Sequence, residues 1–212
     1  MPLKKIVVLV SGSGTNLQCL IDKIHNKYAQ IVAVISDVPD AYALKRAENT
    51  GIAAKTFDYR SYQNKNLFYD DMLIYINKIE PDLIVLAGFL KILPEKFYNE
   101  YKNRIMNIHP SLIPAFCGKG YYGLKVHQAV IDYGVKITGV TVHFADAGAD
   151  TGPVILQKAV EVFQDDTAET LQKRVLGTEH ELLPEAVKLF VQQKLEIIGR
   201  KVYIKKSEAH ND

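Results

Sequence analysis

An apolar run rich in β-branched side chains, Ile6-Val-Val-Leu-Val10, stops at Ser11-Gly-Ser-Gly-Thr-Asn16 and resumes as Leu17, Leu20, Ile21 and Ile24 at helical spacing. This change of period across a glycine-rich hinge constrains the fold more than any other feature of the chain. A continuous apolar run marks a strand buried on both faces. A helix that starts directly after it, with Thr15 or Asn16 as N-cap, has to pack back onto the sheet. The alternation continues. Ile31 to Ile35 reads as a second strand, and Ala41 to Thr50 as a helix stopped by Gly51. Ala53 to Phe57 reads as a weaker strand, Leu67 to Ile79 as a helix ended by Pro81, and Leu83 to Ala87 as another strand. The pattern predicts an α/β fold: a Rossmann-like, mostly parallel sheet with helices on both faces and right-handed crossovers. Ligands in such sheets bind outside the carboxyl ends of the strands.

The second half changes rhythm. Arg104 to His109 reads as a strand that runs into a proline-punctuated loop, Pro110 to Gly123, and then a helix, Leu124 to Tyr133, with Gly134 after it. Ile137 to Ala145 and Val154 to Val162 are strands on either side of the turn-rich Asp146 to Pro153, which predicts an antiparallel extension in the C-terminal half. A long helix, Thr167 to Gln193, carries Pro184, which kinks or splits it. Leu195 to Ile198 and Lys201 to Ile204 flank Gly199-Arg200 as a terminal hairpin. With no repeat, linker or low-complexity tract, residues 1–206 are expected to form one domain, with a phosphate-binding half over about 1–100 and a catalytic half over about 101–206. Residues 207–212 are expected to be a disordered tail.

Composition removes other classes. Twenty-six Lys and Arg against 24 Asp and Glu leave a charge of +2, which argues against a nucleic-acid partner. The longest apolar run, Leu83 to Leu90, is far short of the roughly 18 residues that span a bilayer, so no membrane partner is expected. The opening apolar stretch is too short for a signal peptide. Two cysteines make no disulfide framework, and neither sits in a metal-binding pair, so a reducing cytoplasm and no metal are expected. Cys19 reads as core and Cys117 as an inert thiol; His25, His127 and His210 read as surface residues.

Three constellations carry chemistry. In Ser11 to Asn16 the glycines allow a tight turn in which several amides converge at a helix N-terminus, an anion cradle. It lacks the Lys-Ser/Thr ending of a P-loop, and Leu17 stands where a dinucleotide fingerprint has its third small residue. Asp37, at the end of the second strand, is the one feature that still fits a dinucleotide. In Asn107-Ile-His-Pro-Ser-Leu-Ile-Pro114, the period of two puts Asn107 and His109 on one face at the strand's carboxyl end. An amide beside an imidazole suits acyl transfer, with donation to an oxyanion and movement of a proton. In His143-Phe-Ala-Asp-Ala-Gly-Ala-Asp-Thr-Gly-Pro153, Asp150 or Asp146 can partner His109; read alone, both are turn residues.

Taken in order, Ser11 to Asn16, Ala87-Gly-Phe-Leu-Lys-Ile-Leu93, Asn107-Ile-His-Pro-Ser-Leu112 and Asp150-Thr-Gly-Pro153 resemble the glycinamide ribonucleotide transformylases, the phosphoribosylglycinamide formyltransferases of purine synthesis. The resemblance runs from about Lys5 to Phe190. It implies that Gly14, Thr15 and Asn16 hold the substrate phosphate, and that Leu176, Gly177, Thr178 and Glu179 meet its ribose and glycinamide. It implies a folate pocket formed by Leu90, Lys91, Ile92 and Leu93 with Asn107, Asp146, Ala147, Gly148, Ala149 and Asp150, and a catalytic set of Asn107, His109 and Asp150. The implied co-substrate is 10-formyltetrahydrofolate, and the implied assembly a monomer or homodimer. An arginine of the pattern is replaced by Asn66 beside Lys65, and Cys117 to Gly123 is longer than in many relatives.

The implied reaction has the amine of glycinamide ribonucleotide attack the formyl carbon, with Asn107 and a protonated His109 stabilising the oxyanion and Asp150 favouring the charged ring. Other readings are a different folate-dependent formyltransferase, a formyltetrahydrofolate hydrolase, or a non-catalytic nucleotide-binding module.

Overall fold

A computed structural model describes residues 2–205. Seven strands form one sheet in the order β3-β2-β1-β4-β5-β6-β7. β1 (Lys4–Val10), β2 (Ala29–Ser36), β3 (Ala53–Thr56), β4 (Leu83–Leu86) and β5 (Ile105–His109) run parallel, while β6 (Ile137–Phe144) and β7 (Val154–Glu161) pair antiparallel. A separate hairpin, β8 (Leu195–Ile198) and β9 (Lys201–Ile204), closes the described chain. The expected tail at 207–212 lies outside the described residues.

The helices are α1 (Thr15–Lys23), α2 (Tyr42–Glu48), α3 (Lys65–Ile79), α4 (Glu95–Glu100), α5 (Leu124–Tyr133) and α6 (Ala168–Val191). β1 explains why they cover both faces. Ile6, Val8 and Val10 pack into one apolar cluster, with Leu17 and Leu20 of α1 and Leu171 and Val175 of α6. Val7 and Leu9 pack into the other, with Phe68, Met72 and Ile76 of α3 and Phe97 of α4. Every residue from Ile6 to Val10 is fully buried. The unbroken apolar run is the sequence form of a strand with no solvent face.

The sheet order reverses direction at β1, which lies between β2 and β4. Chains leaving β1 and β4 diverge there and open a crevice at their carboxyl ends, where an α/β sheet places its ligand. The Ser11 amide donates to the Gly88 carbonyl at 3.1 Å and spans the base of that crevice.

Several local expectations are corrected. The N-cap of α1 is Gly14, at φ +71° and ψ +33°, not Thr15 or Asn16, which lie in the first turn. A Cβ at Gly14 would stand 2.6 Å from the Ala43 Cβ, so α2 packs too closely for any side chain there. Pro184 does not split α6, which runs unbroken for 24 residues. Proline removes the amide that would bond the carbonyl four residues earlier. That carbonyl, of His180, accepts instead from Lys23 Nζ of α1 at 2.8 Å. The short α4, with Phe97 as its buried residue, is absent from the sequence reading. Cys19 is only partly buried, whereas His127, read as a surface residue, is 2% exposed. No helix among the described residues is long and apolar enough to cross a membrane.

Candidate active site

The glycine-rich loop is shaped from behind by α2. The Ala43 amide donates to the Gly12 carbonyl at 3.1 Å, and Arg46 Nε donates to the Ser13 carbonyl at 2.9 Å. Arg46 also reaches Gln18 Oε1 at 3.0 Å. With these carbonyls drawn toward α2, the α1 N-terminus and its first-turn amides face the crevice, the geometry of an anion cradle. Asn16 Nδ2 donates to Glu179 Oε2 at 2.5 Å, while Asn16 Oδ1 is buried without a partner. Burial pushes the Glu179 carboxyl up, and the Asn16 hydrogen bond offsets part of this. Asp37 is not among the residues that line the crevice. Its 3%-exposed carboxylate accepts from Ser11 Oγ at 2.5 Å and pairs with Lys91 Nζ at 3.3 Å, behind two residues that do line the crevice.

Asn107 and His109 leave β5 on one face, with Ile108 turned into the core between them. The antiparallel β6 sets His143 directly opposite Asn107. Asn107 Nδ2 lies 3.1 Å from His143 Nε2 and 3.3 Å from Asp150 Oδ1. Asp150 sits between two imidazoles: its Oδ2 is 3.6 Å from His109 Nδ1, and its Oδ1 is 3.5 Å from His143 Nε2. The outer ring nitrogens meet backbone carbonyls, His109 Nε2 to Phe116 at 2.9 Å and His143 Nδ1 to Phe144 at 3.0 Å. A carbonyl only accepts, so both outer nitrogens carry protons, and the inner nitrogens turn toward the carboxylate.

Of the two aspartates open to partner His109, Asp150 is the one in place. Asp146 Oδ1 instead accepts from the Gly148 amide at 3.2 Å and from Thr151 Oγ1 at 2.5 Å, which closes its own turn. The turn folds back on β6 so tightly that a Cβ at Gly152 would lie 1.7 Å from the Phe144 carbonyl oxygen. Asp150 itself is left-handed, at φ +58°.

The electrostatics divide the cluster. Burial drives His109 below its ordinary range, while the Asp150 charge and the Phe116 carbonyl pull it back in part. The sequence expectation that Asp150 favours a charged His109 has the right partner, but burial outweighs it. For Asp150 burial acts upward, and the hydrogen bond with His143, the charge of His109 and the Gly118 amide outweigh it, leaving the carboxyl below its usual value. Burial, with the charge of His109, pushes His127 down to about 4.

All of this opens into one cavity of about 610 Å³. Its walls include Gly14, Thr15, Asn16, Leu176 and Glu179, together with Asn107, His109 and Asp150 and with Leu90, Lys91, Ile92, Gly148 and Ala149. Five residues of the sequence reading lie outside these walls. Leu93 is 2% exposed in the core under α4. Asp146 and Ala147 stay on the outer side of their turn. Gly177 and Thr178 rotate away on α6, where Leu176 and Glu179, three apart, share the inward face. Lys65 Nζ is held by the Tyr59 and Tyr62 carbonyls at 2.7 and 2.6 Å, and neither it nor Asn66 reaches the cavity. His127, His143, Tyr98 and Gln172 line the cavity without having been singled out for it. The polar face of β6 could have suggested His143, but only the strand register places it against Asn107. Among the described residues, no group of three or more His, Cys, Asp or Glu side chains could hold a metal ion.

Comparison with known proteins meets this geometry. A family model described as formyl transferase matches residues 4–187, which contain the cradle and the whole Asn107, His109, His143 and Asp150 cluster. The chain is 39% identical over 205 residues to the phosphoribosylglycinamide formyltransferase of Haemophilus influenzae, covering 95% of this chain and 94% of that one. It is 38% identical over 194 residues to the chloroplastic phosphoribosylglycinamide formyltransferase of Vigna unguiculata, covering 91% of this chain but 62% of that longer protein. The crystal structure of glycinamide ribonucleotide transformylase 1 from Symbiobacterium toebii matches with a TM-score of 0.90 at 41% identity, covering 96% of this chain and 95% of that one. With the match running from the first strand into the last helix of the cavity, the chain belongs to the formyl transferase family.

Proposed function

We propose that this chain transfers the formyl group of 10-formyltetrahydrofolate to the amine of glycinamide ribonucleotide, a step of purine synthesis. The observation that carries the reading is continuity: a single cavity joins the anion cradle at Gly14 to Asn16 with the Asn107, His109 and Asp150 cluster. A phosphorylated acceptor anchored in the cradle has its reactive end directed along that cavity. Leu90 and Ile92, 53% and 54% exposed, offer an apolar wall suited to a flat folate ring.

In this reading the amine attacks the formyl carbon, a C–N bond forms, and the carbonyl oxygen becomes an oxyanion. His109, resting mostly neutral with its inner Nδ1 toward Asp150, takes a proton from the new ammonium. Asp150 stabilises the imidazolium that results. One Asn107 amide hydrogen turns to the oxyanion, in exchange for its longer contact, the 3.3 Å one to Asp150. The bond to the folate nitrogen breaks as that nitrogen receives a proton from His109 or a water, so one proton leaves the acceptor amine and one joins the donor. The phosphate, remote from the reacting atoms, supplies binding energy that fixes the amine's approach.

The test is a formyl-transfer assay with glycinamide ribonucleotide and its dephosphorylated form as acceptors. Transfer that depends on the phosphate is expected. Equal rates with both acceptors would remove the cradle from the mechanism, and hydrolysis of the formyl donor without transfer would point to a hydrolase.

A further inference from the structure

Within three residues, the Pro110 to Gly123 connection touches both members of the proposed proton-handling pair. The Phe116 carbonyl accepts from His109 Nε2 at 2.9 Å, and the Gly118 amide donates to Asp150 Oδ2 at 2.9 Å. Between them the backbone does something a bulky residue resists. Phe116 is left-handed at φ +49°, a conformation that persists in such residues only where the surroundings hold it. Glycine would adopt it freely.

The ring is what holds it. Phe116 is half-buried and packs against the larger apolar cluster. Tyr121 and Tyr133 meet it edge-on, with centroids 6.4 and 5.8 Å away. These are favoured aromatic arrangements. Tyr133 belongs to α5, so the loop is pinned to a helix and not only to itself.

We infer that Phe116 is a positioning residue for formyl transfer: its anchored ring fixes one short backbone segment that orients His109 through a carbonyl and Asp150 through an amide. The inference rests on the roles given to His109 and Asp150 above. A carbonyl on Nε2–H favours the charged imidazole, and an amide on Oδ2 favours the ionised carboxylate. Both contacts therefore support the state that forms once His109 has taken its proton. The other titratable groups facing this pair are His143 from β6, His127 from α5, Tyr98 from α4 and the Cys117 thiol beside Asp150.

The experiment compares Phe116→Gly, Phe116→Tyr and Tyr133→Ala with the unaltered enzyme. It measures kcat, the KM of each substrate, and the titration of the His109 ring by NMR, its signal assigned by loss in His109→Gln. Phe116→Gly is expected to lower kcat by up to about 100-fold, the scale of a small misplacement of a reacting group. The KM of the phosphorylated amine should stay put, and His109 should titrate at lower pH. Phe116→Tyr should retain both kcat and the titration. Tyr133→Ala should shift the titration the same way by less, and it decides the matter if Phe116→Gly does not fold. An unchanged His109 titration in Phe116→Gly, or in Tyr133→Ala where Phe116→Gly does not fold, overturns the inference with or without a loss of rate. Asp150→Asn separates the two layers. If it is inactive while Phe116→Gly turns over normally, the Phe116 inference fails alone; if Asp150→Asn is fully active, the pair itself is wrong.

Discussion

At Asn107 the donor end of the amide is already engaged, with His143 at 3.1 Å and Asp150 at 3.3 Å. Donation to an oxyanion is then an exchange of partners, which is least costly when the bond given up is the longer one. Asn107→Ala should lower kcat on the order of 100- to 1,000-fold, the loss seen when one oxyanion donor is removed; single-turnover rates will show whether the loss sits in the chemical step. His109 gives a pH prediction with a definite sign. Its pKa lies below the ordinary value, about 6.5. The neutral, proton-accepting ring is therefore populated from below pH 6.5 upward, and the acid limb of kcat/KM should fall there. Asp150 is the main group drawing that pKa back up. Asp150→Asn should thus move whatever limb remains to lower pH while removing most of the activity, and a pH–rate profile of the two proteins checks both. The sequence offered the polar alternation of Asn107 and His109 because period-two spacing is local. Spacing alone left Asp146 and Asp150 equal, and only the family resemblance singled out Asp150, because which one turns inward depends on a tight return past Gly152 that no spacing rule contains.

On the scale of elements, β1, the cradle and α1 were legible together. The switch from an unbroken apolar run to 3.6-residue spacing is written in about twenty consecutive residues, and nothing distant has to be known. The antiparallel pair β6 and β7 was readable for a similar reason, through the turn-rich segment between two strands. His143 was not, because its place opposite Asn107 follows from the β5–β6 register and not from its neighbours in the chain. The capping residue of α1 was missed for an analogous reason. Side-chain chemistry favours Thr15 or Asn16 as cap, yet the approach of Ala43 leaves room only for Gly14. Gly14→Ala should accordingly destabilise the fold by about 1–3 kcal/mol, the usual cost of a side chain forced into a left-handed position. It should also raise the KM for the phosphorylated acceptor more than that for the folate; denaturant melts with steady-state kinetics will tell. Pro184 reads as a helix breaker only while α6 is considered by itself, since the carbonyl it frees is taken by Lys23 from another helix.

Taken whole, the molecule places its most strongly perturbed histidine where sequence saw a surface residue. His127 is 2% exposed, and its pKa is pushed to about 4. A histidine whose folded pKa lies below its unfolded value of about 6.5 binds fewer protons when folded, so it makes stability rise with pH between those limits. Acidification from about pH 6.5 to about 4 should therefore lower the unfolding midpoint, and below that window this contribution stops changing. His127→Phe should flatten the slope, a comparison that thermal melts across the pH series can make.

The two contacts between α1 and α6, from Asn16 to Glu179 and from Lys23 to His180, fall on adjacent residues of the longer helix. α1 is thereby tied to α6 near each of its own ends, so the helix that carries the cradle and the Glu179 wall of the cavity hold each other in place although most of the chain runs between them.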